Sequence, residues 1–186
     1  MSAYKVASRY AKSLLELAVE KKELDQVKLD MITVLSLNAG DSSFSDMVKS
    51  PVISSDKKLA VLKSLIGKNA SALTLKFFDL VVEKGRTGFL PDMATAFLRL
   101  YNDHLGIQTA EVVSTIQLDE DLRTSFKEIV KEVSGKNKVN LIEKIDPNLI
   151  GGFVLKIGDK QLDESIKSKL QQLHLDLTPN LYEKKY

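Results

Sequence analysis

Apolar residues recur at every third or fourth position through the first half of the 186-residue chain, which is the spacing of one helix face. The first stripe runs through Ala7, Tyr10, Ala11, Leu14 and Ala18. Five more stripes follow, at residues 24–35, 43–48, 59–66, 73–81 and 93–101. The pattern predicts six amphipathic helices.

Glycine and proline residues separate these stripes. Pro51 ends the third helix, because the residue before a proline avoids helical backbone angles. Gly67 and Gly85 stand where the fourth and fifth helices end, and Gly106 ends the sixth. Since the links are short, the six helices are expected to pack as one bundle over residues 1–105.

The hydrophobic period changes from 3.6 to 2 after Gly106. Residues 110–116 alternate as in a strand, and Asp119 is expected to cap the helix that follows. The inward positions of that helix are Leu122, Phe126, Ile129, Val130 and Val133, with Gly135 at its end.

Three more strands are predicted at residues 139–145 and 152–157 and in a short segment ending near Asp163. Asp163 is expected to cap a last helix bearing Ile166, Leu170 and Leu173, and residues 174–186 are predicted to form a loose tail. The fold class is therefore α plus α+β. A six-helix bundle at residues 1–105 precedes a small α+β domain at 106–186 with a short sheet and two helices.

Charge excludes one class of partner. Lys and Arg number 27 and Asp and Glu number 25, and no basic block exists of the kind that nucleic-acid-binding proteins carry. Cysteine is absent, which fits a reducing compartment. The apolar runs are far shorter than the roughly 20 residues that span a bilayer. We expect no nucleic acid partner and membrane contact only through other proteins.

Candidate catalytic chemistry is sparse. The two histidines, His104 and His174, stand at the ends of predicted elements, and the sequence around them shows no Ser-rich elbow and no carboxylate arrangement of the kind that nucleophilic catalysis uses. Gly151, Gly152 and Gly158 do not match a phosphate-binding loop and fit a kinked strand start and a turn. We therefore predict no catalytic residue, no cofactor and no metal site.

The fifth helix carries surplus apolar residues, Leu75, Phe78 and Val82, besides its main face. Two interpretations stay open at this point. The residues either lie in the bundle core or form a second face that a partner covers.

The stretch from residue 145 to residue 159 resembles the signature of ATP synthase delta subunits, the bacterial relatives of the mitochondrial oligomycin-sensitivity-conferring protein. Residues 7–12 and 83–91 agree with the same family in order and place, and the resemblance covers residues 4 to about 173. The signature positions are Ile145, Asp146, Leu149, Gly151, Gly152, Phe153, Leu155, Lys156, Gly158 and Asp159.

This resemblance implies a non-catalytic stator subunit in the peripheral stalk of an F-type ATP synthase. Such a subunit links the catalytic head to the b subunits and resists rotor torque during proton-driven ATP synthesis. The N-terminal helix of an alpha subunit would bind between helices one and five, and the second domain would contact the b subunits. The expected alpha-subunit interface is Ala7, Tyr10, Ala11, Leu14, Leu75, Phe78 and Val82.

The resemblance also implies one copy per complex and a monomer when isolated. The first ten residues do not resemble an organelle transit peptide, so we expect a bacterial protein on the cytoplasmic side of the inner membrane. Two alternatives remain on the residues alone: a helical adaptor of another pathway, and an enzyme with an unrecognised site.

Overall fold

The computed structural model describes residues 3–40, 42–66 and 70–177. The chain forms two compact units, Met1–His104 and Leu105–Tyr186. Within the described residues, the first unit contains α1 (Ala3–Glu20), α2 (Leu24–Gly40), α3 (Ser42–Lys49), α4 (Ser55–Ile66), α5 (Ala72–Glu83) and α6 (Leu90–His104). The second contains β1 (Ile107–Ser114), α7 (Glu120–Ser134), β2 (Lys138–Ile145), β3 (Phe153–Ile157), β4 (Lys160–Asp163) and α8 (Ile166–Leu177). This mostly helical chain with one small sheet confirms the predicted combination of helices and strands.

Helix α6 packs against both α1 and α2 in the first unit. The buried residues Ala11 and Ala18 present small side chains on α1, which permits a close approach of its neighbours. The Tyr101 hydroxyl of α6 donates a hydrogen bond to Asp25 of α2 at 2.9 Å. Burial, together with this carboxylate, raises the pKa of Tyr101. Helices α2 and α6 are thus joined by a polar contact as well as by apolar packing.

A buried carboxylate fixes the start of α5. Asp30 of α2 is only 4% exposed and accepts hydrogen bonds from the Ser71 backbone N–H at 3.0 Å and the Thr74 hydroxyl at 2.5 Å. Ser71 is the N-cap of α5 and its side chain accepts from the Thr74 N–H. The helix N-terminus offers unpaired N–H groups and a positive dipole end, so a carboxylate is stabilised there. Asp30 therefore ties α5 to α2.

The segment between α5 and α6 contains a 3-10 turn, Thr87–Phe89, that the sequence pattern did not predict. Gly85 precedes it with φ of +64°, the left-handed region that favours glycine. Thr87 is buried, and Lys58 of α4 donates to its hydroxyl at 3.4 Å and to the Val48 carbonyl at 3.0 Å. The lysine thereby holds the turn against the end of α3.

The second unit is a mixed sheet in the order β2-β1-β3-β4. Strands β1 and β2 are parallel, and the β1–β3 and β3–β4 pairs are antiparallel. Helix α7 connects β1 to β2, as a parallel pair requires, and packs on the sheet. Asp119 caps α7 and Gly135 ends it in the left-handed conformation, both as predicted. The core consists of Ala110, Val112, Leu118, Phe126, Val130, Leu155 and Ile157.

Two details of this unit differ from the sequence prediction. Strand β1 ends at Ser114, whose hydroxyl donates to the Ile116 carbonyl at 2.6 Å, so Ile116 lies beyond the strand and is exposed. Leu122 and Val133 are exposed on α7, because its buried strip is centred on Phe126 and Val130. A helix on a small sheet buries a narrower strip than its apolar pattern suggests.

The start and end of α8 also differ from the prediction. Ser165, not Asp163, immediately precedes the helix and accepts a hydrogen bond from the Ser168 N–H at 3.2 Å. Residues 174–177 are helical, so the expected tail is shorter at its start. Residues 178–186 of that tail, and Gly67, lie outside the described residues.

Candidate docking surfaces

A groove of about 530 Å³ lies between α1 and α5 in the first unit. Its size is typical of a binding site. Apolar side chains from both helices form one part of the lining, and polar or basic side chains form the rest. The lining residues are Arg9, Tyr10, Ser13, Leu14, Leu17, Lys21, Leu73, Lys76, Phe77, Leu80 and Arg86. The groove therefore combines apolar residues with charged residues that are all basic, a composition suited to binding an amphipathic helix.

Two aromatic rings and an arginine meet in this groove. The Tyr10 and Phe77 rings pack edge to face with centroids 6.3 Å apart. Arg86 donates from Nη1 to the Tyr10 hydroxyl at 3.0 Å, and its Cζ lies 5.4 Å from the centroid of the same ring. Edge-to-face and cation–π contacts favour defined geometries, so this part of the groove is ordered before a partner arrives.

The structure separates the expected interface residues into two groups. Tyr10 and Leu14 line the groove. Ala11 and Phe78 are fully buried and Val82 is 6% exposed, and none of these three lines the groove.

The two remaining expected positions also lie elsewhere. Ala7 is buried and lines a smaller depression of about 260 Å³, formed by α1 and α6. Leu75 is half buried and is not among the groove residues. Of the seven expected positions, the groove itself therefore contains Tyr10 and Leu14.

The two faces expected for α5 are not separated as predicted. Phe78 and Val82, from the supposed surplus face, are buried in the core. Of the supposed inner face, Leu73, Phe77 and Val81 are buried as well, whereas Leu80 is 45% exposed. Leu73, Phe77 and Leu80 line the groove. Both faces are apolar, so periodicity could not rank them. Lys76 lies among the groove residues of α5, and a charged side chain on an apolar face was the signal that could have marked the open side.

The second unit exposes an apolar stripe along α8. Leu170 and Leu173 are each 54% exposed, and Ile166 and Leu177 extend the stripe at the same helical spacing. A stripe with spacings of four and three residues is the seam that a second helix packs against. Such a row of exposed large side chains indicates an interaction surface.

Two glycines of the signature lie against the start of α8. A Cβ atom on Gly151 would meet Ile166, and one on Gly152 would meet the Glu164 carbonyl oxygen and the Ser165 Cα. The backbone pairs Ile166 N with Gly151 O at 3.0 Å and Glu164 N with Phe153 O at 2.9 Å. The glycines thus permit β3 to touch the chain that enters α8.

The other signature residues build the turns and the core around this junction. Asp146 accepts from the Asn148 N–H at 3.0 Å and starts the turn before β3. Phe153 packs edge to face on Phe126, and Leu155 is fully buried. Gly158 has φ of +62° in the β3–β4 hairpin. The remaining four signature residues do not belong to the core. Ile145, Lys156 and Asp159 are exposed, and Leu149 is half buried.

Hydrogen bonds to the Asp163 carboxylate stabilise the segment that leads into α8. Asp163 accepts from the Ser165 N–H at 2.9 Å and from the Ser168 hydroxyl at 2.8 Å. The Ser165 backbone N–H, followed by the hydroxyls of Ser165 and Ser168, holds the pKa of Asp163 below its ordinary value. The hydrogen bonds of the folded chain therefore favour the ionised form of Asp163.

Metal-binding and membrane-spanning features are not found in residues 3–40, 42–66 and 70–177. That part of the chain holds no cluster of three or more His, Asp or Glu residues suited to a metal ion. None of its helices combines the length and the apolar character needed to cross a bilayer.

The first unit presents an open groove between two helices, and the second presents a helix with an exposed apolar stripe, which are features typical of proteins that bind other chains. The family model described as ATP synthase delta (OSCP) subunit matches residues 6–177. The chain belongs to the ATP synthase delta (OSCP) subunit family. It is a structural component of the ATP synthase stalk, a stator subunit and not a catalytic one, and its partners are other subunits of that membrane-bound complex. This confirms the resemblance and removes the adaptor alternative.

Relatives of the chain cover nearly its whole length. It is 39% identical to the ATP synthase subunit delta of Cytophaga hutchinsonii over 93% of this chain and 94% of that one. It is 35% identical to the chloroplastic delta subunit of Emiliania huxleyi, with 93% and 96% covered. A chain in the cryo-EM structure of the Toxoplasma gondii mitochondrial ATP synthase hexamer has the same fold, with a TM-score of 0.74, 24% identity and coverage of 92% and 96%.

Proposed function

We propose that the groove between α1 and α5 binds the N-terminal helix of an ATP synthase alpha subunit. The observation that carries this proposal is the open apolar channel itself, formed by Leu14, Leu17, Leu73, Phe77 and Leu80. Family membership identifies the complex in which the chain works, and the groove is a surface that one amphipathic helix can fill. In this proposal the six helices of residues 1–105 act as one bundle that presents the groove.

The second unit, residues 106–186, binds the b subunits through the apolar stripe of α8 in this proposal. The stripe runs along a helix, so its natural partner is another helix, as in a coiled-coil seam. Separate surfaces for head and stalk let one protein transmit a holding force between them. Two interfaces of standard size, about 1,600 Å² each, reach nanomolar affinity without catalytic groups.

The proposed assembly contains one copy of the chain, which is a monomer when isolated. The chain then lies on the cytoplasmic side of a bacterial inner membrane and touches the bilayer only through the complex. In this proposal the location of the chain is set by the subunits it binds, because both proposed docking surfaces bind helices of other proteins.

Binding to a peptide from the alpha-subunit N-terminus of the same ATP synthase tests the groove. Leu80 is exposed in the groove, so Leu80→Glu should weaken peptide binding about tenfold or more in calorimetry. Leu29→Glu is the matched control, since Leu29 is an exposed leucine of α2 outside the groove. Equal binding by both variants, or none by the unaltered chain, would refute the proposed occupant.

A pull-down with the soluble part of the b subunits tests the second surface. The double change Leu170→Asp and Leu173→Asp should abolish capture, because charges would replace the centre of the stripe. Gln171→Asp places a charge on an exposed neighbouring position and should retain capture. Retained capture by the double variant would remove α8 from the proposal.

A further inference from the structure

The charged side chains that line the α1–α5 groove are all of one sign. Arg9, Lys21, Lys76 and Arg86 line it, and its eleven lining residues include no Asp or Glu. Arg9 and Lys76 lie on α1 and α5, and Lys21 and Arg86 follow the ends of these helices. A partner segment of opposite charge would therefore be attracted along the length of the groove.

Three other lysines of the same unit are paired with acidic residues. Lys12, Lys63 and Lys84 form ion pairs with Glu16, Asp79 and Glu83. Within the described part of the chain, none of the four groove cations forms an ion pair with an acidic residue. The groove thus keeps cations that are available to pair with the carboxylates of another molecule.

Both the backbone and the side chain of Arg86 are held by hydrogen bonds within the fold. The turn that carries it begins at Gly85, its N–H bonds to the Val81 carbonyl at 2.9 Å, and the neighbouring Thr87 is held by Lys58. A guanidinium has five N–H donors in a rigid fork. In the described residues Arg86 donates one side-chain hydrogen bond, to Tyr10, so the fork keeps donors for a carboxylate.

We infer that the groove selects an amphipathic helix whose apolar face is flanked by carboxylates, and that Arg86 is the specificity-determining residue that reads one of them. This inference rests on the proposed function and adds the chemistry by which the groove recognises its occupant. The apolar lining residues would bind the apolar face of many helices, whereas the cations distinguish an acidic helix from a neutral or basic one.

Calorimetry with the full chain and two synthetic peptides tests the inference. One peptide is the alpha-subunit N-terminal segment, and the other has every Asp and Glu in it replaced by Asn and Gln. The amide peptide should bind about tenfold more weakly at low salt, given roughly two- to fivefold for each exposed pair. The difference should shrink at high salt because of screening.

Variants of Arg86 locate the effect. Arg86→Gln should weaken binding of the acidic peptide while changing that of the amide peptide little, and Arg86→Lys should restore part of the loss. Lys57→Gln, an exposed position outside the groove, removes the same charge and should leave both affinities unchanged. Circular dichroism melting checks that each variant is folded.

The possible outcomes separate the inference from the proposed function. Equal binding of the acidic and amide peptides, or equal losses of both in Arg86→Gln, would overturn the inference and leave the occupant of the groove standing. An alpha-subunit segment without Asp or Glu would overturn it as well. Binding of neither peptide would overturn the proposed occupant, and the inference with it.

Discussion

The Cα of Gly152 packs against the carbonyl oxygen of Glu164 with no space for a side chain between them. Gly152 has φ of +76°, and a Cβ there would also lie 3.0 Å from the Ser165 Cα. The obstacle is backbone, which cannot rotate away as a side chain can. This contact sets the distance between the start of β3 and the residues that lead into α8. It explains why two adjacent glycines belong to the signature.

Gly152→Ala should therefore destabilise the second unit by about 3 kcal/mol or more, by combining left-handed strain with a backbone clash. Gly158→Ala is the matched control. Gly158 has a similar φ of +62°, but its nearest neighbour would be 3.9 Å from the Cβ. Only the strain of about 1 kcal/mol should appear there. Urea unfolding measures both, and equal losses would show that the close contact does not exist.

Asp30 offers a test of how α5 is held. Asp30→Ala should cost about 1 to 3 kcal/mol, because it leaves the buried Ser71 N–H and Thr74 hydroxyl without their acceptor. Hydrogen exchange should quicken first at the start of α5. Asp46→Ala removes an exposed carboxylate of α3 and should have little effect. Unchanged protection of α5 in Asp30→Ala would contradict this account.

Lys58 is predicted to support the turn that carries Arg86. Lys58→Met keeps the aliphatic stem but leaves the Val48 carbonyl and the Thr87 hydroxyl unpaired, at a cost of about 1 to 3 kcal/mol. Peptide affinity at the groove should fall together with stability, since Arg86 precedes Thr87. Lys57→Met, on the exposed neighbouring position, should change neither quantity. Full peptide affinity in Lys58→Met would show that the turn held by Lys58 does not contribute to binding at the groove.

The corner at Asp163 should respond to acid. Its pKa is lowered in the folded state, so its contribution to stability is present above the ordinary value of about 3.9 and is lost as pH falls through the folded value. The stability difference between the unaltered chain and Asp163→Asn should therefore be largest near neutral pH and narrow below about pH 4. Urea unfolding at several pH values measures it, with Asp159→Asn in the exposed hairpin as control. A gap that stays constant down to about pH 2.5 would exclude the ionised carboxylate as its cause.

The order of elements could be predicted from the sequence because it depends on local patterns. The change of period after Gly106, the cap at Asp119 and the left-handed Gly135 each follow from the residues of one short segment. The signature was visible in the same way. The Asp163 cap was wrong because two neighbouring side chains, Asp163 and Ser165, can each accept hydrogen bonds at that corner.

What the sequence determined by itself was therefore the type and order of the helices and strands, together with a family resemblance that the comparisons confirm. Only the tertiary structure decided that Phe78 of α5 lies in the core and that Leu80 is exposed in the groove, because both side chains are apolar and their burial depends on what packs beside them. The place of Arg86 over Tyr10, 76 positions apart in the chain, was decided in the same way. Burial and long-range pairing are properties of the packed chain, and periodicity along one helix cannot specify them.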